Sequence, residues 1–328
     1  MMPLCEVNGQ WINFEDTGAN LPPLVLAHGL LMDHEMFAPQ VEALSSRCRV
    51  ITWDARCHGE TETTDDAFSY WDLADDLEGL LDHLGIARAV IGGMSQGGFV
   101  ALRFALNHPE RVAALVLLDT QAGAEEPEKV GIYGSMLEVW EEDGLNDQLA
   151  ETIAAIVLGN AWPGRFEWIA KWRQQPRSLL RPAFNALARR EDIHDRLGEI
   201  KAPALVIHGT ADAAIDIELA ERLCSGLANS VPLVTIEGGG HACNLTHPKL
   251  VNPVVQKFLA ELGLPIPRAG DRRGAGRRSE ARRRLGDRRD PVRASAGRRV
   301  RFGDRRMAER RGHERRGAFG ISAWTAKF

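Results

Sequence analysis

The chain lacks most of what would mark a metal, redox, secreted or membrane protein. Its 328 residues hold five cysteines. None forms a C-x-x-C pair, which excludes zinc-ribbon and dithiol redox motifs, and unpatterned thiols fit a reducing compartment without structural disulfides. The histidines never fall in the H-E-x-x-H spacing, and neither Gly92-Gly93 nor Gly238-Gly239-Gly240 makes a phosphate-binding loop. No metal and no organic cofactor are therefore expected. No apolar run approaches the roughly 18 residues of a membrane span. The start Met1-Met2-Pro3-Leu4-Cys5-Glu6 lacks both the basic head and the apolar core of a secretory signal, so a cytoplasmic protein is expected.

What the chain does have is divided unevenly. The formal net charge of −5 conceals two halves of opposite sign: from Leu264 onward 20 Arg and one Lys face seven acidic residues, net +14, and the body before it is net −19. Arg-Arg steps recur along 264–328 with almost no apolar periodicity, so this segment cannot bury enough surface to offset chain entropy and is expected to be disordered. Three readings of it stand. Clustered arginine suits a nucleic-acid or anionic-membrane arm; the segment could fold back on the acidic body; or its Arg/Gly/Ala/Asp composition reflects a shifted reading frame of a GC-rich gene, beginning soon after a final helix at Pro253 to Leu262. A nucleic-acid partner is expected only if the segment is genuine.

Before that point the pattern alternates. Strand-like runs at 48–53, Ala89-Val90-Ile91 and Val112 to Leu118 are interleaved with helical patterns such as Tyr70 to Leu84, where Leu73, Leu77, Leu80, Leu81 and Leu84 share one face. This predicts an α/β fold: an open, mostly parallel sheet with helices on both faces. From about Ala122 to Gly198 the chain becomes helical throughout before strand signals resume at Ala204. The expected organisation is a core over 1–121, a helical lid over 122–198, the rest of the core over 199–263, and the basic tail over 264–328.

One turn carries chemistry. Gly93-Met94-Ser95-Gln96-Gly97-Gly98 follows a strand and precedes a helix, so Ser95 sits on a tight strand-to-helix turn whose small neighbours let helix and strand approach closely. A serine is a poor nucleophile at neutral pH without an adjacent base. Two further strand ends offer the partners: Ala204 to His208 leads to Asp212, and Val231 to Ile236 leads through Gly238-Gly239-Gly240 to His241. The order Ser95, Asp212, His241 is that of a nucleophile elbow on an open α/β sheet. The strand at Leu24 to Ala27 ends in His28-Gly29, placing the N–H of Leu30 beside the elbow. With the N–H of Gln96 it would form an oxyanion hole. His28 is read as structural.

Together these residues resemble the α/β-hydrolase family, in its lidded serine esterase-like branch, over roughly Gln10 to Leu262. The His28-Gly29 turn, Asp54-Ala55-Arg56-Cys57-His58-Gly59, the Ser95 elbow, Asp212, and Gly240-His241-Ala242-Cys243-Asn244 carry the likeness, and the elbow and last stretch are most similar to enol-lactonases and aminoacrylate-type hydrolases. Cys57 departs from it, since relatives usually have glycine there. The resemblance implies a hydrolase of small esters or lactones working through an acyl-enzyme. Cofactorless haloperoxidases, perhydrolases and carbon–carbon bond hydrolases share the triad and stay open, as does a non-catalytic ligand-binding use of the fold. Epoxide hydrolases and dehalogenases carry aspartate at the elbow, so Ser95 argues against both.

The lid segment holds Trp140, Trp162, Trp168, Trp172, Phe166 and Phe184. Met136 with Trp140, and Trp168 with Trp172, are spaced i, i+4, and each pair can present one apolar face to substrate or to a small core. All four are candidate pocket residues. Cys243 is read as a buried structural thiol, Arg56 and His58 as braces of their loop, and Asp119, ending the strand after the elbow, as a turn cap or second acid. Nothing in the chain predicts an oligomeric state.

Overall fold

In the computed structural model, residues 4–61, 66–176 and 180–264 are described. The arginine-rich segment from 265 onward, with every reading of it above, lies outside them.

Eight strands form one sheet: β1 (Leu4–Val7), β2 (Gln10–Asp16), β3 (Pro23–Ala27), β4 (Arg49–Trp53), β5 (Ala89–Met94), β6 (Val112–Leu118), β7 (Ala204–Gly209) and β8 (Val234–Ile236), in the order β1-β2-β4-β3-β5-β6-β7-β8. The first two pair antiparallel at one edge, and β3 to β8 run parallel. Every residue of β5, β6 and β7 is buried. Side chains alternate between the faces of a strand, so full burial means both faces are covered.

The covering helices are α1 (Ala38–Leu44), α2 (Tyr70–His83), α3 (Gln96–Asn107), α8 (Ile217–Gly226), α9 (Cys243–Thr246) and α10 (Pro248–Glu261). Helix α2 packs on α3, and α1 packs on α9 and α10. Ser69 and Asp72 start α2 as a reciprocal capping box. Its apolar stripe behaves as the spacing predicts: Leu73, Leu77, Leu80 and Leu81 are buried and Leu84 packs partly exposed against the same core. The last helix starts five residues earlier than the sequence suggested, because Pro248 occupies its first turn, where a missing N–H costs nothing. Pro253 then lies inside the helix.

Between β6 and β7 the described residues form α4 (Pro127–Asp143), α5 (Asp147–Leu158), α6 (Arg165–Gln174) and α7 (Leu180–Ala188). The parallel strands end on the side from which this insertion departs, and ligand sites of open α/β sheets sit at those carboxyl ends. No helix among the described residues is long and apolar enough to cross a membrane. None of the five cysteines is in a disulfide, and four of them are buried.

Candidate active site

Ser95 lies between β5 and α3 with φ of 51°, in the left-handed region that a non-glycine residue adopts only when its surroundings demand it. Those surroundings are specific. Its N–H donates to the Leu118 carbonyl at 2.9 Å, and its own carbonyl accepts from the Thr120 hydroxyl at 2.8 Å and from the N–H groups of Gly98 and Phe99. A Cβ on Gly97 would overlap the Ala27 carbonyl, and one on Gly93 would overlap the Gly97 backbone. Glycine at both positions is what lets α3 start this close to β3 and β5.

Asp212 and His241 come from the ends of β7 and β8. The His241 Nε2 is 3.0 Å from Ser95 Oγ, and its Nδ1 is 2.8 Å from Asp212 Oδ2. An ionised carboxylate can only accept, so Nδ1 carries the proton and Nε2 faces the serine hydroxyl as acceptor. The other carboxylate oxygen, Oδ1, accepts the N–H groups of Ala214 at 2.8 Å and Ile215 at 3.0 Å, which fixes the acid in place. Burial alone would lower the His241 pKa. The charge and hydrogen bond of Asp212 outweigh it and hold the imidazole above its ordinary value. Asp212 is held low: burial opposes its charge, and His241 more than offsets the burial.

Asp119, which ends β6 with φ of 45°, is a second buried acid close by. Its Oδ1 accepts Gly209 N–H at 2.8 Å and its Oδ2 accepts Cys243 N–H at 3.3 Å. Burial, and then the charge of Asp212, push its pKa up to about 8. Through these two bonds it ties the end of β7, which leads to Asp212, to the backbone just after His241. His208, Asp119 and Asp212 bring ligand-type atoms within 4.8 Å of one another. Most of these atoms are already committed: His208 Nε2 donates to the Ile215 carbonyl, and the carboxylate oxygens hold the bonds above.

His28 is buried at the end of β3; its Nδ1 donates to Gly29 O at 2.8 Å and its Nε2 accepts Ala55 N–H at 3.0 Å, a bracing role. Arg56 pairs with Asp76, and His58 Nδ1 donates to the Arg56 carbonyl. Cys57 has φ of 64°. A glycine at this position would meet the turn without strain, which is why the resemblance has glycine there. Leu30 faces the cleft beside Ser95, and Gln96 opens α3, where the first N–H has no intrahelical acceptor.

The cleft above Ser95 encloses about 950 Å³ including its open mouth. Met136 and Trp140 of α4 line it, with Leu137, Ile153 of α5 and Phe184 of α7. Trp168 and Trp172 do not. Trp172 is fully buried and donates its indole N–H to Leu31 O at 2.8 Å, and Trp168 stacks beneath the Lys171 ammonium at 4.5 Å. Trp172 is thus turned to the loop after β3. Besides Ser95 and His241, the polar lining groups are Glu125 and Tyr133. Arg190 reaches Glu125 at 2.9 Å and the Gly123 carbonyl at 2.7 Å, anchoring the acid at the wall. Neither Glu125 nor Tyr133 was legible beforehand, since each lies in a stretch whose spacing marks no site.

A protein from Agrobacterium fabrum that bears the name of a carbamate hydrolase, RutD, is 29% identical over 255 residues, 74% of this chain and 95% of its own length. Among solved structures, a thermophilic esterase from Thermogutta terrifontis matches with a TM-score of 0.72 and 29% identity, over 80% of this chain and 97% of that one. The enol-lactonase from Burkholderia xenovorans LB400 matches with a TM-score of 0.71 and 27% identity, over 79% of this chain and all of that one. The family model described as alpha/beta hydrolase fold matches residues 22–248, the stretch from the start of β3 to the start of α10 that carries Ser95, Asp212 and His241. With most of its length inside that model, the chain belongs to the α/β-hydrolase family and is a hydrolase.

Proposed function

We propose that the protein cleaves small carboxylic esters or lactones, with Ser95 as nucleophile, His241 as general base and acid, and Asp212 as the residue that orients the imidazole. The observation that carries this reading is the continuous hydrogen-bond relay Ser95–His241–Asp212, starting from a serine held at positive φ. Ser95 Oγ attacks the carbonyl carbon as its proton passes to His241 Nε2. The imidazolium is stabilised by Asp212 and gives that proton to the departing alcohol oxygen, leaving an acyl-enzyme. Water, deprotonated by the same nitrogen, then attacks the acyl carbon and releases the acid. The N–H groups of Leu30 and Gln96 hold the oxyanion in both steps, each worth roughly 3 kcal/mol to the transition state.

The helices α4 to α7 serve as a lid, its apolar underside excluding water from the acyl group. The cleft wall of Met136, Leu137, Trp140 and Phe184 favours a mainly apolar acyl chain. The structures of an esterase and an enol-lactonase that share the fold support the same carbonyl class.

The test is release of p-nitrophenol from acetate, butyrate and octanoate esters by the wild-type chain and by Ser95→Ala in matched preparations. Turnover that varies with chain length and falls to background in the variant is expected. Equal turnover by both would remove Ser95 from the reaction and overturn the reading.

A further inference from the structure

We propose that Trp172 and Lys171 of helix α6 are positioning residues for the oxyanion hole, holding the loop after β3 so that the Leu30 N–H points at the substrate oxygen. This rests on the role given to Leu30 under the proposed function. The Gly29 carbonyl and the Leu30 N–H belong to one planar peptide and point in opposite directions, so whatever fixes the carbonyl fixes the N–H. Two donors hold that carbonyl: His28 Nδ1 at 2.8 Å and the Met32 N–H at 3.1 Å. The second bond closes a four-residue turn, Gly29 to Met32, whose third residue is Leu31 with φ of 66°. A turn with positive φ at that position ordinarily takes glycine or asparagine. A leucine there must be held from outside the turn.

Helix α6 supplies the hold. The Trp172 indole N–H donates to the Leu31 carbonyl at 2.8 Å from a side chain with no exposed surface. One residue earlier, the Lys171 ammonium reaches Asp33 Oδ2 at 2.5 Å and Glu35 Oε2 at 2.8 Å, and the other Asp33 oxygen caps the Glu35 N–H. The left-handed leucine is thus clamped at its own carbonyl and two residues on, both times by the insertion rather than by the sheet. Docking of the insertion and geometry of the oxyanion hole are coupled through one residue, Leu31.

The test is steady-state ester hydrolysis by Trp172→Phe, which keeps the ring and removes the N–H, and by Trp172→Phe with Leu31→Gly, in which the turn needs no outside support. Loss of a whole oxyanion donor costs on the order of 10²- to 10³-fold in kcat. Its misplacement should cost part of that, about tenfold, with KM little changed, and the glycine should restore most of it. Lys171→Met, made at a partly exposed site, should lower kcat in the same sense by less, and serves if Trp172→Phe does not fold. An active wild type whose Trp172→Phe and Lys171→Met variants keep kcat would overturn the inference alone. So would a loss that Leu31→Gly fails to rescue. A wild type without Ser95-dependent turnover would overturn the proposed function, and this inference with it.

Discussion

Asp212 and Asp119 are buried carboxylates at the ends of neighbouring strands, and their surroundings drive them apart: Asp212 is held ionised by His241, whereas burial and the charge of Asp212 raise Asp119 to about 8. Asparagine at 212 would offer an N–H or a neutral oxygen to His241 Nδ1 and favour the wrong tautomer. Asp212→Asn should therefore lower kcat by roughly 10⁴-fold. Asp119 acts through the backbone N–H groups of Gly209 and Cys243, and asparagine keeps an oxygen for one of them, so Asp119→Asn should lose less; a reversed ranking of the two in the ester assay would reverse the assignment of the acid. The His241 pKa gives a second expectation. The base must be neutral to accept the serine proton, so kcat/KM should fall as pH drops through a pKa above the ~6.5 of an ordinary imidazole. In a pH–rate profile, an acid limb at or below that value would contradict the outweighing effect of Asp212. The three residues of the relay were legible in the sequence because each follows a strand-like run at a glycine-bearing turn. Leu31 shows what was not: its positive φ is held by Trp172, distant in the chain, and nothing local announces it.

Among the elements, α2 was the easiest to foresee, since its leucine stripe speaks through local spacing alone; the Ser69–Asp72 cap that starts it was not read beforehand. Ser69→Ala should cost about 1 kcal/mol by loss of the cap, and Leu77→Ala, at a position with no exposure, about 2–5 kcal/mol by lost burial and a cavity. Urea unfolding measures both, and similar small effects from the two would mean that α2 is not packed as described. The edge pair β1 and β2 was not anticipated, because short antiparallel edge strands with half their side chains outward leave a weak pattern. The strand predicted over Val231 to Ile236 is regular only from Val234, since Pro232 has no N–H for the ladder. In the insertion, helical character was readable but the direction of each face was not. The i, i+4 spacing applied equally to Met136 with Trp140 and to Trp168 with Trp172, yet docking put the first pair on the cleft wall and the second off it, with Trp172 bonded to Leu31.

For the whole molecule, the sheet order places Ser95, Asp119, Asp212 and His241 at the ends of four neighbouring parallel strands, β5 to β8, so residues 146 apart in the chain meet at one edge. That assembly was foreseeable from chain order and strand alternation; the cleft was not, because its shape depends on how the four insertion helices settle on the sheet. Ser95, Asp119, Asp212, His241 and the cleft lining all lie before 264, and the chain from there on carries a net charge of +14 against −19 for the rest. A chain ending at Leu264 should keep its kcat/KM for p-nitrophenyl esters while losing any salt-sensitive retention on DNA. A large loss of turnover on that truncation would assign the arginine-rich segment a part in the enzyme.

Covalent trapping with a fluorophosphonate, followed by mass spectrometry of the digested protein, tests Ser95 as the nucleophile most directly. One adduct per chain is expected, on Ser95, formed in step with complete loss of ester turnover and absent from Asp212→Asn on the same timescale. An adduct on another residue, or full turnover by chains modified at Ser95, would contradict it.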